Sequence, residues 1–390
     1  MASRVVSIGM AGDIRTKDVV ATGVGDRRAV LLLLPAAMLM IIGLGALLSA
    51  SSVVGLRQTG DHLFFFKRQL LFTGIGLVVF VATSKIPYRW YGRFAVPLLA
   101  TAVVALVATL ALGEVRGGAR RWIDVGPVTL QVSEFAKFAV VAYLAAVLSR
   151  NERGLGEFAN VFWPVVASLV AVGVPLLLQP DLGTTLIVAA AAFGVLIVSA
   201  APLRYVFGLA GLGSLGGVAL AYSQPYRWER IQAFLNPDAD PLGSGLQSLQ
   251  SLVALGTGGW FGIGLGASRA RWSYLPNAHT DFIFAIIGEE TGLAGALVVV
   301  ALFAVLAIVG SVIAMHAPDR FGRLLAIGIV SWVSVQALVN IGGVTRVLPI
   351  TGVPLPFVSS GGSAMIMTLA IMGVLVNIAR STRAASEEAS

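Results

Sequence analysis

The sequence contains no cysteine and only three histidines. Without thiols, the chain can form no disulfide, no thiolate nucleophile and no thiolate metal site. Charged residues are also scarce: they make up 12% of the 390 residues, whereas a soluble domain carries about 25%. These shortages exclude cysteine chemistry and argue against a soluble globular protein.

Apolar residues dominate the composition. They account for 57% of the chain, and the mean hydropathy is +0.88. A transmembrane helix needs about 20 mostly apolar residues, and ten runs approach that length. We therefore predict an all-α polytopic membrane protein. The first run is too long for the apolar core of a signal peptide and is not followed by an A-x-A motif, so we expect it to be retained. The predicted spans are 29–54, 69–84, 94–113, 135–148, 162–178, 184–200, 205–222, 291–314, 324–342 and 361–379.

Polar segments divide the chain into a transmembrane domain, 29–380, and two expected cytoplasmic tails, 1–28 and 381–390. The longest loop, 223–280, lies between the seventh and eighth spans. Leucines recur at helical spacing over 246–255, which predicts a short amphipathic helix on the outer membrane surface. The glycines that follow predict an irregular and closely packed connection, which protein must cover at membrane depth.

The distribution of basic residues predicts the orientation. The net charge of +8 fits cytoplasmic loops better than nucleic-acid binding. With the N-terminus inside, 15 of the 27 lysines and arginines lie on the cytoplasmic side, 8 lie in short outer loops and 4 lie in the long loop. Both termini are therefore predicted to be cytoplasmic. The segments richest in polar motifs then fall outside, so we expect any chemistry on the outer face: 114–137, 179–184, 223–280 and 343–360.

The stretch LPNAHTDFIFAIIGEE places Asp281, Glu289 and Glu290 beside an apolar segment. Eight helical residues advance about 12 Å, so Asp281 and Glu289 cannot serve one small group if Phe282–Gly288 is a helical piece ahead of the span. Asp281 lies nearest the outer water and is the candidate for chemistry, with helix capping as the alternative. For the two glutamates we favour charge and hydrogen bonding at a helix N-terminus.

The segment ARRWIDVGPVTLQVSEFAK forms a second polar cluster. Glu134 and Lys137 are three residues apart, so they can pair on one helix face. Ser133 precedes an apolar run and is a candidate N-cap. Arg120 and Arg121 could clamp a phosphate through forked hydrogen bonds. The alternative for the arginines is anchoring to lipid headgroups.

Two further motifs carry polar groups. In QPDLGT, capping of the next helix is the favoured role of Asp181. In PLPFVSSGGSAM, Ser359 and Ser360 precede a helix start, where exposed amides and hydroxyls could form an anion nest. His279 has only His62 as a second outer histidine, so a histidine metal site is not expected.

Together these ordered motifs resemble the SEDS family (shape, elongation, division and sporulation), whose members polymerise peptidoglycan. The resemblance runs from about residue 30 to 380. Segment GLGASRARWSYLPNAHTDFIFAIIGEE is more similar to the division members than to the elongation members. The chain departs from the family at Val132, where proline is usual, and at Ser360, where an aromatic residue often stands.

The resemblance implies ten spans in a bacterial inner membrane, an extracytoplasmic active face and work at the division septum. It implies lipid II as substrate, a class B penicillin-binding protein (FtsI-like) as transpeptidase partner, and other division proteins such as FtsQ, FtsL and FtsB. Asp281 becomes the key carboxylate, with Glu134 and Lys137 beside it. We expect Mg²⁺ or Mn²⁺ as a possible cofactor, and no organic one. The candidate substrate-binding residues are Arg120, Arg121, Trp122, Ser133, Gln179, Asp181, His279, Thr280, Ser359, Ser360 and Gly361.

The implied substrate fixes the stereochemistry. Lipid II is α-linked and the glycan is β-1,4, so the anomeric centre inverts in one displacement. The pyrophosphate leaving group needs charge stabilisation rather than a proton, so one base plus cations suffices, with Asp281 as general base. Two alternatives are a flippase for the lipid-linked precursor and a scaffold that activates its transpeptidase. The polar motifs lie on one side only, which favours an enzyme, because a transporter needs gating groups on both sides.

Overall fold

The computed structural model describes residues 13–116, 119–125, 128–151, 154–222, 225–237, 240, 245–269 and 279–388. Over these residues the protein is a helical membrane bundle, which confirms the predicted fold class. Eight helices are long and apolar enough to cross a membrane, and two shorter apolar helices, α7 and α8, complete the ten predicted spans. The helices are α1 (Asp13–Thr59), α2 (Phe64–Lys85), α3 (Arg89–Arg93), α4 (Ala95–Leu112), α5 (Val132–Arg150), α6 (Phe158–Leu178), α7 (Leu182–Val198), α8 (Leu203–Tyr222), α9 (Pro225–Leu235), α10 (Leu246–Gly258), α11 (Ile283–Met315), α12 (Arg320–Val344) and α13 (Gly362–Glu388).

The first and last helices extend into the segments that we expected to be tails. Helix α1 begins at Asp13, and α13 continues to Glu388. Neither extension contains a proline that would interrupt the backbone hydrogen bonds. Polarity alone therefore marks where a helix leaves the apolar layer, and it does not mark where the helix ends.

Three helices, α5, α12 and α13, form the interior of the bundle. In the most apolar stretch of α5 and of α13, 72% of the residues are buried, compared with 22% in α2 and in α4. Helix α5 is rich in alanine, and small side chains let neighbouring backbones approach closely. The outer helices instead expose large apolar residues such as Val78 and Leu112, as a lipid-facing surface requires.

The segment before α5 is a three-stranded antiparallel sheet, which was not predicted from the sequence. Its strands are β1 (Glu114–Arg116), β2 (Ala119–Val125) and β3 (Val128–Gln131), and Trp122 pairs with Gln131. The available signals were the GG and GP dipeptides that flank ARRWIDV and the apolar–polar alternation of VTLQ. Strand β3 leads directly into α5, whose N-cap is Gln131. The predicted N-cap, Ser133, is therefore wrong, because the helix has already begun one residue earlier.

Helix α11 is kinked at Gly292, where the backbone leaves helical geometry (φ 70°, ψ −168°). The predicted short piece ahead of the span is thus the first leg of one long helix. A glycine-rich turn, residues 259–264, packs against the kink and bonds the backbone groups that the kink releases. These bonds run from Ile263 and Gly264 to the carbonyls of Glu289 and Glu290, and from Leu293 and Ala294 to those of Gly259 and Trp260. Protein covers the irregular backbone, as membrane depth requires.

Helix α10 confirms the helix predicted in the long loop and reveals its orientation. The buried face carries Ser248, Ser251, Ala254 and Gly258, whereas Val253 is exposed. A Cβ on Gly258 would overlap the backbone of Gly288 in α11. The small residues therefore dock the helix on α11, and the side chain of Leu255 packs against Gly288 of the same helix.

Candidate functional site

A cavity of about 820 Å³ opens at the end of the bundle where α5, α7, α11 and α13 begin. This volume is in the range of ligand-binding clefts. Its walls include aromatic side chains, among them Phe65 and Phe72. Nine of the predicted site residues line it: Arg121, Trp122, Glu134, Asp181, His279, Thr280, Asp281, Ser360 and Gly361.

Lys137 lies behind the cavity wall and is fully buried. Its ammonium donates to Oε1 of Glu134 at 2.8 Å and to Oε1 of Gln336 at 2.9 Å, and it lies 4.7 Å from the centre of the Trp332 ring. The predicted Glu134–Lys137 pair is thereby confirmed. Oε2 of Glu134 is also buried but has no hydrogen-bond partner among the described residues. Since Glu134 lines the cavity, this oxygen is the natural acceptor for a ligand group.

Asp281 lines the same cavity immediately before α11. The helix begins at Ile283 and its N-cap residue is Phe282, so Asp281 lies one residue ahead of the N-cap position. The backbone carbonyl of Asp281 accepts a hydrogen bond from Nδ2 of Asn340 at 2.8 Å. The side chain is therefore presented from an anchored backbone.

His279 forms part of the wall beside Asp281. Its ring centre lies 4.9 Å from that of Phe65, and its carbonyl accepts from the Ser360 amide at 3.1 Å. Burial lowers the pKa of His279, because desolvation disfavours the charged imidazolium. The ring is thus neutral at neutral pH and can donate or accept a hydrogen bond without adding charge.

The two candidate arginines are separated by strand alternation. Adjacent residues of a strand point to opposite faces, and Arg120 and Arg121 are neighbours in β2. Arg121 lines the cavity and donates to the carbonyls of Gln179 (3.0 Å) and Pro180. Arg120 is exposed and donates to the Leu110 carbonyl at 3.2 Å. The expected pair therefore does not form one clamp.

Asp181 fills the capping role that we favoured for it. Its carboxylate accepts from the Thr184 amide at 3.2 Å and from the Thr184 hydroxyl at 2.9 Å. It is buried and also lines the cavity. Gln179 next to it is buried, and its amide donates to the Leu106 carbonyl at 2.9 Å. These contacts hold the turn before α7 against α4.

The serine–glycine loop before α13 does not present free amides. The amides of Ser359, Ser360 and Gly361 donate to Leu355, His279 and the Gln69 side chain, at 3.0, 3.1 and 3.2 Å. The hydroxyl of Ser359 accepts from the Leu355 amide. These three amides are therefore engaged within the protein, while Ser360 and the start of α13, residues 362–364, line the cavity.

Glu289 and Glu290 lie within the first leg of α11 and are not among the residues that line the cavity. Glu289 accepts from the Ser268 hydroxyl and from the Arg269 amide at 3.1 Å, and Glu290 accepts from the Ser49 hydroxyl. The hydrogen bonding that we expected of these two carboxylates is therefore present, and in each case the donor belongs to another chain segment.

The sequence analysis missed several residues at the site. Arg68 and Gln69 of α2 and Glu229 of α9 line the cavity, and Gln336 and Asn340 of α12 contact its wall. Arg68 belongs to a basic pair at an outer span start, and Gln336 and Asn340 are amides four residues apart inside an apolar run. Within the described residues, no three His, Asp or Glu side chains form a metal-binding group.

Comparison with known proteins fits this architecture. The profile of the FtsW/RodA/SpoVE cell cycle proteins matches residues 29–384. Stage V sporulation protein E of Bacillus subtilis is 41% identical and spans 90% of this chain and 97% of its own. A probable peptidoglycan glycosyltransferase FtsW of Trichlorobacter lovleyi is 39% identical over 89% and 92%.

A solved structure resembles the whole bundle. It comes from work on the structural coordination of polymerization and crosslinking by a peptidoglycan synthase complex, and it superposes with a TM-score of 0.72 at 29% identity. The match covers 90% of this chain and 97% of that one. With the profile and the relatives, the likeness extends over almost the entire membrane domain, and the chain belongs to the FtsW/RodA/SpoVE family.

Proposed function

We propose that this protein is a peptidoglycan glycosyltransferase that polymerises lipid II into β-1,4 glycan strands at the outer leaflet. The observation that carries the proposal is the cavity lined by Asp281 and Glu134, with the Lys137 ammonium directly behind Glu134. A neighbouring relative is named a probable peptidoglycan glycosyltransferase, which supports the same reaction.

In the proposed reaction, the 4-hydroxyl oxygen of the acceptor GlcNAc attacks the anomeric carbon of the donor. The new carbon–oxygen bond forms as the bond to undecaprenyl pyrophosphate breaks, and the electron pair leaves with the pyrophosphate. Asp281 takes the hydroxyl proton. A positioned general base contributes about 10²–10⁴-fold to the rate. Inversion follows because a single displacement occurs, with no covalent sugar–enzyme intermediate.

The cationic groups divide the remaining work. Arg121 and Arg68 line the cavity and can face the pyrophosphate as its charge develops. Lys137 is held in place by Glu134 and Gln336. Its charge therefore contributes a fixed electrostatic field at the cavity wall. Mg²⁺ is usually held by one or two carboxylates plus substrate phosphates. An Mg²⁺ or Mn²⁺ ion arriving with the pyrophosphate could therefore bind the unpartnered oxygen of Glu134 and neutralise leaving-group charge.

We further propose that both termini are cytoplasmic and that the cavity faces the extracytoplasmic side. A class B penicillin-binding protein would crosslink the strands as they form, at the division septum. The related structure comes from work on a peptidoglycan synthase complex that coordinates polymerization and crosslinking, which supports a transpeptidase partner.

The test is polymerisation of labelled lipid II by the purified protein with its transpeptidase partner, comparing Asp281→Asn with Asp61→Asn. Asp61 is a second outer carboxylate, but it is exposed and pairs with Lys67 at 2.8 Å. We expect Asp281→Asn to lose at least about 100-fold in rate, and Asp61→Asn to keep wild-type activity. Retention of more than about a tenth of the activity by a folded, partner-bound Asp281→Asn protein would overturn the assignment of the base. Transbilayer movement of lipid II without polymer would favour a flippase.

A further inference from the structure

Helix α12 carries a polar stripe through the interior of the bundle. Trp332, Gln336 and Asn340 are spaced four residues apart, so they share one face of the helix. Their exposed fractions are 1%, 2% and 5%. None of them is among the residues that line the large cavity. Their hydrogen bonds therefore go to protein groups, although Oδ1 of Asn340 is buried without a partner among the described residues.

Gln336 joins the buried lysine to the loop before α13. Its Oε1 accepts from the Lys137 ammonium at 2.9 Å and from Nε1 of Trp332 at 2.8 Å. Its Nε2 donates to the carbonyl of Pro354 at 2.8 Å. One side chain thus fixes the direction of the ammonium and the position of a loop that lines the cavity.

Asn340 joins the same loop to the segment that carries Asp281. Its Nδ2 donates to the carbonyl of Val353 and to that of Asp281, each at 2.8 Å. Val353 and Pro354 are consecutive, so the two amides of α12 bind two consecutive carbonyls. The backbone of Asp281 and the ammonium of Lys137 are consequently both hydrogen-bonded to side chains of one helix, α12.

From this we propose that Gln336 and Asn340 are positioning residues for the reaction, holding Asp281 at the cavity wall and Lys137 behind the wall in fixed places. The inference rests on the proposed role of Asp281 as base. The stability of the fold does not by itself require the stripe, since well-packed apolar residues often replace a buried polar network at no cost in stability. Placement does account for it, because a misplacement of about 1 Å can cost about 100-fold in rate.

The test compares Asn340→Leu and Gln336→Met with Asn377→Leu. Asn377 is a matched control: it bridges two segments at the opposite end of the bundle, accepting from the Tyr88 amide and donating to the Ser84 carbonyl, each at 2.9 Å. For each variant, kcat and KM for lipid II polymerisation are measured together with thermal unfolding and hydrogen exchange of residues 279–284 and 350–356.

We expect kcat to fall about 10–100-fold in Asn340→Leu and Gln336→Met, with KM and the folded fraction near wild type. Amide exchange should rise in both segments for Asn340→Leu. Asn377→Leu should keep wild-type kcat. If Asn340→Leu does not fold, Asn340→Ser, which can donate to only one of the two carbonyls, replaces it.

Wild-type kcat in both stripe variants, or a loss that follows the folded fraction alone, overturns the inference. Asp281→Asn is assayed in parallel to separate the two proposals. An active Asp281→Asn protein removes the proposed base, whereas an inactive one with fully active stripe variants removes only the positioning role.

Discussion

The protein buries carboxylates in two places, and it treats them differently. Glu134 pairs with Lys137, but its second, buried oxygen has no partner among the residues that the structure describes. Glu289 and Glu290, the kink carboxylates, accept hydrogen bonds from two serines and a backbone amide beside the bend of α11. Desolvating a carboxylate is costly unless its oxygens are bonded.

The contrast separates two uses of the same chemical group. The kink carboxylates take donors from α1 and from the segment after the glycine-rich turn, so they join pieces of the fold. Oε1 of Glu134 accepts from Lys137, and Oε2 has no partner among the described residues. The second oxygen is therefore left to accept a hydrogen bond from a ligand. We therefore expect changes at the kink to act on stability, and changes at the cavity pair, Glu134 and Lys137, to act on catalysis as well.

The largest effect is expected from breaking the cavity pair. Lys137→Met leaves the Glu134 carboxylate without its cation, and removing one partner of a buried pair costs about 3–5 kcal/mol. The double variant Lys137→Met/Glu134→Gln removes the uncompensated charge, so thermal stability should recover while lipid II polymerisation stays lost. Lys67→Met, at an exposed pair, is the control and should change neither. Recovery of activity together with stability in the double variant would reduce the pair to a structural one.

A second effect, on stability alone, is expected at the kink. Gly262 has φ of +79° and packs so closely that a Cβ would overlap the carbonyl of Glu290. Gly266 has a similar φ of +75° but open space around it, so it is the matched control. Gly266→Ala should cost about 1–2 kcal/mol from its left-handed backbone, and Gly262→Ala should lose about 1–3 kcal/mol more from overpacking.

Thermal unfolding and polymerisation per folded molecule give the two readouts for these alanine variants. Turnover per folded molecule should stay at the wild-type level in both. A selective fall in turnover for Gly262→Ala would mean that the kink takes part in catalysis, and the distinction between the two carboxylate sites would fail.

The smallest effect is expected at the arginines of β2. Arg121 bonds two consecutive carbonyls through its fork, which a lysine cannot reproduce. In Arg121→Lys one charge-assisted hydrogen bond is lost, and the lipid II concentration needed for half-maximal polymerisation should rise by about tenfold. Arg120→Lys should insert and polymerise like wild type. If both lysine variants insert and polymerise lipid II like wild type, Arg121 does not bind substrate, and both arginines are anchors to lipid headgroups.

The sequence predicts the bundle well because one physical requirement, apolar length, governs every span. It also predicts the Glu134–Lys137 pair, since i,i+3 spacing on a helix fixes that contact locally. The separation of Asp281 from Glu289 follows in the same way from helix geometry, once the first leg of α11 is helical.

Other features depend on contacts between distant segments. The different positions of Arg120 and Arg121 follow only once both are known to lie on a strand, and the local signs of that strand are the flanking GG and GP dipeptides. The bonds of Gln336 and Asn340 join α12 to α5 and to two loops, so no local pattern assigns their partners. The amides of the serine–glycine loop were expected to be free because their acceptors, Gln69 and His279, lie far away in the sequence.

Pairing Lys137 with Glu134 limits the distance over which their electrostatic field reaches a substrate. The pair is neutral as a unit, so its field falls off as that of a dipole and is felt over a few ångströms only. Exposed charges such as Arg120 act over longer distances, but at physiological ionic strength salt screens them beyond about 8 Å. Attraction of an anionic lipid from a distance is therefore sensitive to salt, while the field at the reacting atoms is nearly independent of it.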